Sequence, residues 1–360
     1  SCTFTEKTKL QRTILMTKQA SYIVVINIRV FFLSCILMGC NRENNKRLDQ
    51  QVFRYNEHKN ITSLDPAFSK DNANIWAVHQ LFNGLVELDK NMQIQPSIAY
   101  DWKISENGKL YTFYLRNDVF FHSHEKFGPA KTRLVTAADF EYSLNRLQDS
   151  KLASPGSWVL DCVEEFSAKG PHTFQIKLKY PFPAFLGLLS MKYCSVVPKE
   201  IVKFYGVDFR SHPIGTGPFL FKRWSENNKL VFRKNNRYFE SDSEGNKLPY
   251  LEAIAITFLR DKQSEYSQFL QGNIDFISGL DGSYKDDILT PQGQLKDKHM
   301  GSIKMLKSPY LNTEYLGFFM NTNMNKDSSR LLRQAFNYGI DRKKMISFLR
   351  NNIGNPGCGG

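Results

Sequence analysis

Pro213-Ile214-Gly215-Thr216-Gly217-Pro218-Phe219 begins like a loop that cradles a dinucleotide, and then departs from one. Leu220 stands where the third glycine would fall, and Pro218 removes a backbone N–H that a phosphate would need. The two glycines therefore read as structural: they permit tight backbone geometry beside Pro218. Hydrophobic spacing sets the elements on either side. Asn72 to Phe82 carries Ile75, Val78, His79 and Phe82 at helical spacing, with Gly84 as its expected C-cap. Thr136 is placed to N-cap a helix bearing Phe140, Leu144 and Leu147 on one face, and Asp139 suits that helix's positive end. Thr173 to Lys179 alternates strictly, with Phe174, Ile176 and Leu178 inward, so it reads as a half-buried strand.

Further strands are predicted at Val52–Asn56, Tyr111–Arg116, Leu230–Arg233, Ala253–Phe258, Ile274–Ile277 and Tyr315–Asn321. Helices are predicted at Asp261–Leu270, Ser328–Tyr338 and Asp341–Leu349. The second of these should bury Leu331, Leu332, Ala335 and Phe336. Strands and helices mix without strict βαβ alternation, which points to the α/β class with mixed α+β lobes.

The 360 residues are 41% hydrophobic and 23% charged, enough for a sizeable core and for two or three domains. Lysine and arginine exceed the acids, 48 − 35 = +13, but the basic residues are scattered and often lie near acids. That describes a solvated basic surface and not a nucleic-acid partner. Catalytic signatures are absent: there is no Gly-x-Ser-x-Gly and no His-Glu-x-x-His. His122 and His124 would share a face on a strand, yet no third or fourth metal ligand stands near them. No cofactor, no metal site and no enzyme activity are expected. Cys162 and Cys194 would either pair in an oxidising compartment or sit buried as small hydrophobes.

Val30 to Gly39 (VFFLSCILMG) is charge-free but half the length a bilayer span requires, about 20 residues. It follows a basic stretch and ends at Gly39-Cys40, the pattern of a secretory signal peptide. Leu37-Met38-Gly39-Cys40 resembles the lipobox of bacterial lipoproteins, which implies lipidation of Cys40 and a polar tether over Asn41–Gln51. Met16 would be a natural start.

Several segments, in order, resemble the family 5 extracytoplasmic solute-binding proteins, the oligopeptide- and dipeptide-binding receptors of ABC importers. They are Ser63-Leu64-Asp65-Pro66-Ala67, Gln80-Leu81-Phe82-Asn83-Gly84-Leu85, Pro96-Ser97-Ile98-Ala99 with Trp102, and Tyr111-Thr112-Phe113 with Leu115-Arg116. Val135-Thr136-Ala137-Ala138-Asp139-Phe140 follows, with Arg146, then Val196-Val197-Pro198-Lys199 and the Pro213–Phe219 loop. Asn236-Arg237-Tyr238, Arg333-Gln334-Ala335 and Ile340-Asp341-Arg342 complete the set.

The resemblance implies a periplasmic-binding-protein-like fold of two lobes with an extra subdomain in the first. It places a leader at 1–39, lipidated Cys40 and tether at 40–51, and lobe I at 52–84 and 200–307. The extra subdomain falls at 85–199, and the crossover with the start of an incomplete lobe II at 308–360. It also implies a monomeric, extracytoplasmic, membrane-anchored receptor whose partners are a peptide ligand and an ABC permease. Related receptors carry nickel chelates, haem, sugars or peptide signals, and a non-transport surface lipoprotein is the other alternative. Ligand contact is implied for Phe68, Ser69, Lys70, Asp71 and Asn72, whose backbone would pair with a peptide, and for Tyr310, Asn312 and Tyr315 on the crossover. The family's acidic partner for a peptide α-amino group matches no residue here. The expectation is that these 360 residues do not close on ligand with native affinity.

Overall fold

The alternation at Thr173–Lys179 becomes the centre of an antiparallel sheet. In the computed structural model, β4 (Ala99–Ile104), β5 (Leu110–Leu115), β6 (Val163–Gly170) and β7 (Thr173–Leu178) run in the order β4-β5-β7-β6. Phe174, Ile176 and Leu178 are fully buried, and β5 sets Tyr111 and Phe113 opposite Ile176 and Phe174. Each such side chain contributes about 1.5–3 kcal/mol by leaving water. The helix α2 (Ala137–Gln148) lies on β6 and β7, its Phe140 ring 6.0 Å from that of Phe174. Its start is a reciprocal capping box between Thr136 and Asp139, as the sequence predicts.

The model describes residues 51–308, 313–320 and 326–357, so the leader, Cys40, Tyr310, Asn312 and Cys358 lie outside the described residues. The chain divides into two compact units. Unit 1 runs through Arg54 and resumes over Lys59–Thr257; unit 2 is Tyr55–His58 and the chain from Phe258. Beside the sheet above, unit 1 has a hairpin of β2 (Val86–Leu88) and β3 (Ile94–Pro96). A second sheet has the order β1-β10-β9-β8, from β1 (Val52–Asn56), β8 (Phe219–Ser225), β9 (Lys229–Lys234) and β10 (Ala253–Thr257). Its helices include α1 (Asn72–Leu81), α3 (Phe185–Leu189) and α4 (Lys199–Tyr205).

α1 ends differently from the expected glycine cap. Phe82 leaves the helix in an extended conformation, and Gly84 is not left-handed. The reason is the Pro213–Phe219 loop: Gly217 N donates to Leu81 O at 2.9 Å. That bond satisfies a carbonyl the helix would otherwise leave open, so no left-handed turn is needed.

Unit 2 contains α5 (Lys262–Leu270), α6 (Lys285–Ile288), α7 (Lys326–Gly339) and α8 (Arg342–Arg350). Gly272 follows α5 at φ +75°, the left-handed residue expected there. Ile274–Ile277 forms no strand; only Phe276 makes a single bridge, to Tyr55. Residues 313–320 also lack strand structure: no ladder or bridge pairs with them among the described residues. The expected buried face of α7 is open to solvent: Leu331, Leu332 and Phe336 are 61%, 44% and 48% exposed.

Candidate functional site

Phe68 to Asn72 is one continuous ledge at the entrance to α1. Its direction is set from below by Asp65. Asp65 is buried, caps the short 3₁₀ turn Pro66–Phe68 by accepting from Ala67 N at 3.0 Å, and meets Arg146 in a two-pronged pair. Arg146 Nη1 donates to Asp65 Oδ1 at 3.1 Å and Nη2 to Oδ2 at 2.7 Å. Ser154 Oγ donates to Ala67 O at 2.6 Å and fixes the same turn.

The chain then bends at Ser69, whose φ of −76° and ψ of 61° are those of an inverse γ-turn, closed by Lys70 N donating to Phe68 O at 2.8 Å. Ser69 points inward, and its hydroxyl is buried with no partner among the described residues. Asp71 caps α1, accepting from Asn74 N at 3.1 Å, while Asn74 Nδ2 donates to its other oxygen. Phe68 is left half-buried, with Lys70 and Asn72 exposed. Phe68 packs against the core, Ser69 faces inward, and Lys70 and Asn72 face solvent; the backbone here is a pair of turns and not a strand.

The far end of α1 is anchored by the Gly215–Gly217 loop. A Cβ on Gly215 would lie 2.0 Å from Leu81 O, and one on Gly217 would lie 2.5 Å from Leu81 C. His122 closes the knot. Its Nδ1 accepts from Gly215 N at 3.3 Å and its Nε2 donates to Gly217 O at 3.0 Å, which assigns the neutral Nε2–H tautomer. Thr216 Oγ1 and Asn83 exchange bonds at 2.9 and 3.2 Å, and Asn83 Nδ2 donates to the Tyr238 hydroxyl at 3.2 Å.

Burial holds the His122 pKa down to about 4, a shift only partly opposed by its bond to the Gly217 carbonyl. A base held neutral by the fold supports folding fully above its unfolded pKa of about 6.5. That support is withdrawn as pH falls from there toward 4. The full difference is about 3 kcal/mol. His122→Gln keeps one donor and one acceptor and does not titrate. Thermal melts from pH 7 to pH 4 are expected to show a smaller acid loss in His122→Gln than in the wild type; parallel curves would remove His122 from that role.

His124 Nε2 lies 3.0 Å from the Tyr205 hydroxyl, and its Nδ1 accepts from Lys126 N at 3.2 Å, so His122 and His124 serve different neighbours. No group of three metal-ligating side chains occurs among the described residues. Cys162 and Cys194 are both free and buried, and burial pushes the Cys194 thiol up to about 12. Tyr315 is 83% exposed and belongs to unit 2, whereas the ledge belongs to unit 1. No helix among the described residues is long and apolar enough to cross a membrane. The Asp65–Arg146 pair and the His122 knot escape sequence reasoning because their partners lie 81 and more than 90 residues apart.

Comparison with known proteins follows the same lines. The chain is 24% identical over 302 residues to the glutathione-binding protein GsiB of Salmonella paratyphi A, covering 83% of this chain and 54% of that one. It thus spans about half the length of the curated relatives it matches. The fold aligns with the periplasmic binding protein DppA of Helicobacter pylori in complex with the peptide STSA, with a TM-score of 0.60 and 23% identity. That alignment covers 67% of this chain and 49% of DppA. The substrate-binding domain of an oligopeptide ABC transporter from Bacillus anthracis aligns with a TM-score of 0.59 at 25% identity, over 66% of this chain and 46% of its own. Residues 93–359 match the model described as bacterial extracellular solute-binding proteins, family 5 Middle. With that match over well more than half its length, and with the ordered motifs and the fold in agreement, the chain belongs to the family 5 bacterial extracellular solute-binding proteins.

Proposed function

We propose that this chain is part of an extracytoplasmic receptor that captures peptides and hands them to an ABC importer, held at the membrane by lipid on Cys40. The observation that carries the reading is the family match over residues 93–359. The ledge is its local support. Lys70 and Asn72 stand outward, and Phe68 packs half-buried on the core, along a segment fixed from behind by Asp65, Arg146 and the Asp71 cap. A preorganised ledge of this kind orders a ligand without first having to order itself. No bond is made or broken; capture and release are the whole of the activity.

Glutathione is the second cargo to test, because the GsiB relative binds it. Glutathione is itself a tripeptide with one γ-linkage, so the two cargoes share amide and carboxylate groups. Native mass spectrometry of the 360-residue chain would decide, using equimolar dipeptides to pentapeptides, glutathione and nickel–histidine. The expected result is peptide adducts of loose sequence preference at submillimolar to millimolar concentration. Adducts with glutathione alone, or with nickel–histidine alone, would keep the family and replace the cargo.

A further inference from the structure

Among the described residues, unit 2 has little apolar material to hold it. Its core is Tyr266, Tyr284, Ile288 and Leu289, with Ile277, Leu280, Leu295, Met305 and Ile353 packed around them. Next to that core, on α5, Glu265 is buried to 1% exposure. Its Oε2 lies 2.7 Å from His58 Nε2 and 3.4 Å from Lys262 Nζ, and its Oε1 accepts from Asn56 Nδ2 at 3.2 Å. The same Asn56 amide imitates a strand partner. Leu259 N donates to its Oδ1 at 2.6 Å, and its Nδ2 donates to Leu259 O at 2.9 Å.

These contacts join two segments about 200 residues apart in the chain, Tyr55–His58 and the run from Phe258 through α5. They are the two places where the chain enters unit 2. A carboxylate this deeply buried is tolerated only with its oxygens satisfied, and removing one partner of such a group is far more disruptive than losing a surface pair. Among the described residues the apolar core behind it is small, and the Tyr55–Phe276 bridge is a second tie to the Tyr55–His58 segment.

We propose that Glu265 is a latch that holds the two chain entries of unit 2 together, so that breaking it opens unit 2 as one body while unit 1 stays folded. Cooperative opening of a part of a protein is ordinary where that part has its own small core. The proposal rests on the geometry inside unit 2 and does not depend on which solute the protein carries.

Amide hydrogen exchange followed by mass spectrometry on the full 360-residue chain tests it. In Glu265→Gln the side chain keeps its size but loses the charge that faces Lys262 and the His58 ring. Exchange in α5 and in residues 284–289 is expected to rise together by at least tenfold, and by about a hundredfold if the pair behaves as buried pairs commonly do. Exchange in β5 and β7 of unit 1 should stay within twofold of wild type. A rise below tenfold in α5, or an equal rise in β5 and β7, would overturn the latch. Should Glu265→Gln fail to yield folded protein, His58→Gln removes one partner and spares the carboxylate. The same tenfold threshold, confined to unit 2, then decides.

Discussion

Gly215→Ala is expected to destabilise unit 1 by at least about 3 kcal/mol, with a fall of roughly 10 °C in its melting midpoint. The added Cβ would sit 2.0 Å from the carbonyl oxygen of Leu81 and 2.6 Å from the Phe82 ring. The first obstacle is backbone, so no side-chain rotation relieves it. Either α1 or the loop must move, and both are tied by the bonds among Gly217, His122, Thr216 and Asn83. Gly217→Ala meets Leu81 C at 2.5 Å and Gln80 O at 2.6 Å and should behave alike. Gly170→Ala is the control, since nothing lies within 4 Å of its Cβ and its φ is not positive. Surface changes of that kind fall within about 0.5 kcal/mol. Denaturant melts of the three variants would check this, and a Gly215→Ala protein as stable as Gly170→Ala would contradict the account of the knot.

Arg146→Met should cost about 3–5 kcal/mol, because it leaves the Asp65 carboxylate buried and unpaired. Arg146 itself is only 11% exposed, so solvent does little to weaken the pair. Asp65 also caps the turn that begins the ledge, which links this loss of stability to the geometry of Phe68–Asn72. The double variant Asp65→Asn, Arg146→Met removes both charges and keeps an acceptor for Ala67 N. It is expected to recover a good part of the single variant's loss, since the penalty belongs to the unpaired charge and not to the missing bridge. Equal stability of the single and double variants would show that the unpaired Asp65 charge is not the source of the loss.

What the sequence makes legible here is local. The alternation of Phe174, Ile176 and Leu178 is a period-two pattern that only a half-buried strand satisfies, and all three are buried. The Thr136–Asp139 box is complete within four residues, so it needs no knowledge of the fold. The glycines of the Pro213–Phe219 loop announce tight geometry, but not that the end of α1 is what they press against. That partner also explains why Gly84 is not a cap: a carbonyl satisfied by a residue 136 positions away cannot be inferred from neighbours.

Strand readings failed where pairing decides the outcome. Residues 315–320 have strand composition, yet they form no strand. The face of Leu331, Leu332 and Phe336 has a helix's spacing but stays largely exposed, although the Phe318 ring packs edge-on against Phe336 at 5.5 Å. In the candidate site, Phe68–Asn72 is marked by resemblance to a family. Spacing alone marks only Asp71 as a cap and Asp65-Pro66 as a turn.

The most direct test of the account is amide chemical-shift mapping by NMR on the isotope-labelled 360-residue chain. Short peptides of mixed sequence and glutathione would be titrated in separate experiments. The account predicts saturable shifts at Ser69 through Asn72 and in the first turn of α1, weak in affinity and tolerant of peptide sequence, with the Arg146→Met variant losing them. Shifts confined to other surfaces, or none at millimolar peptide with the fold intact, would contradict the claim that this ledge is where the solute is held.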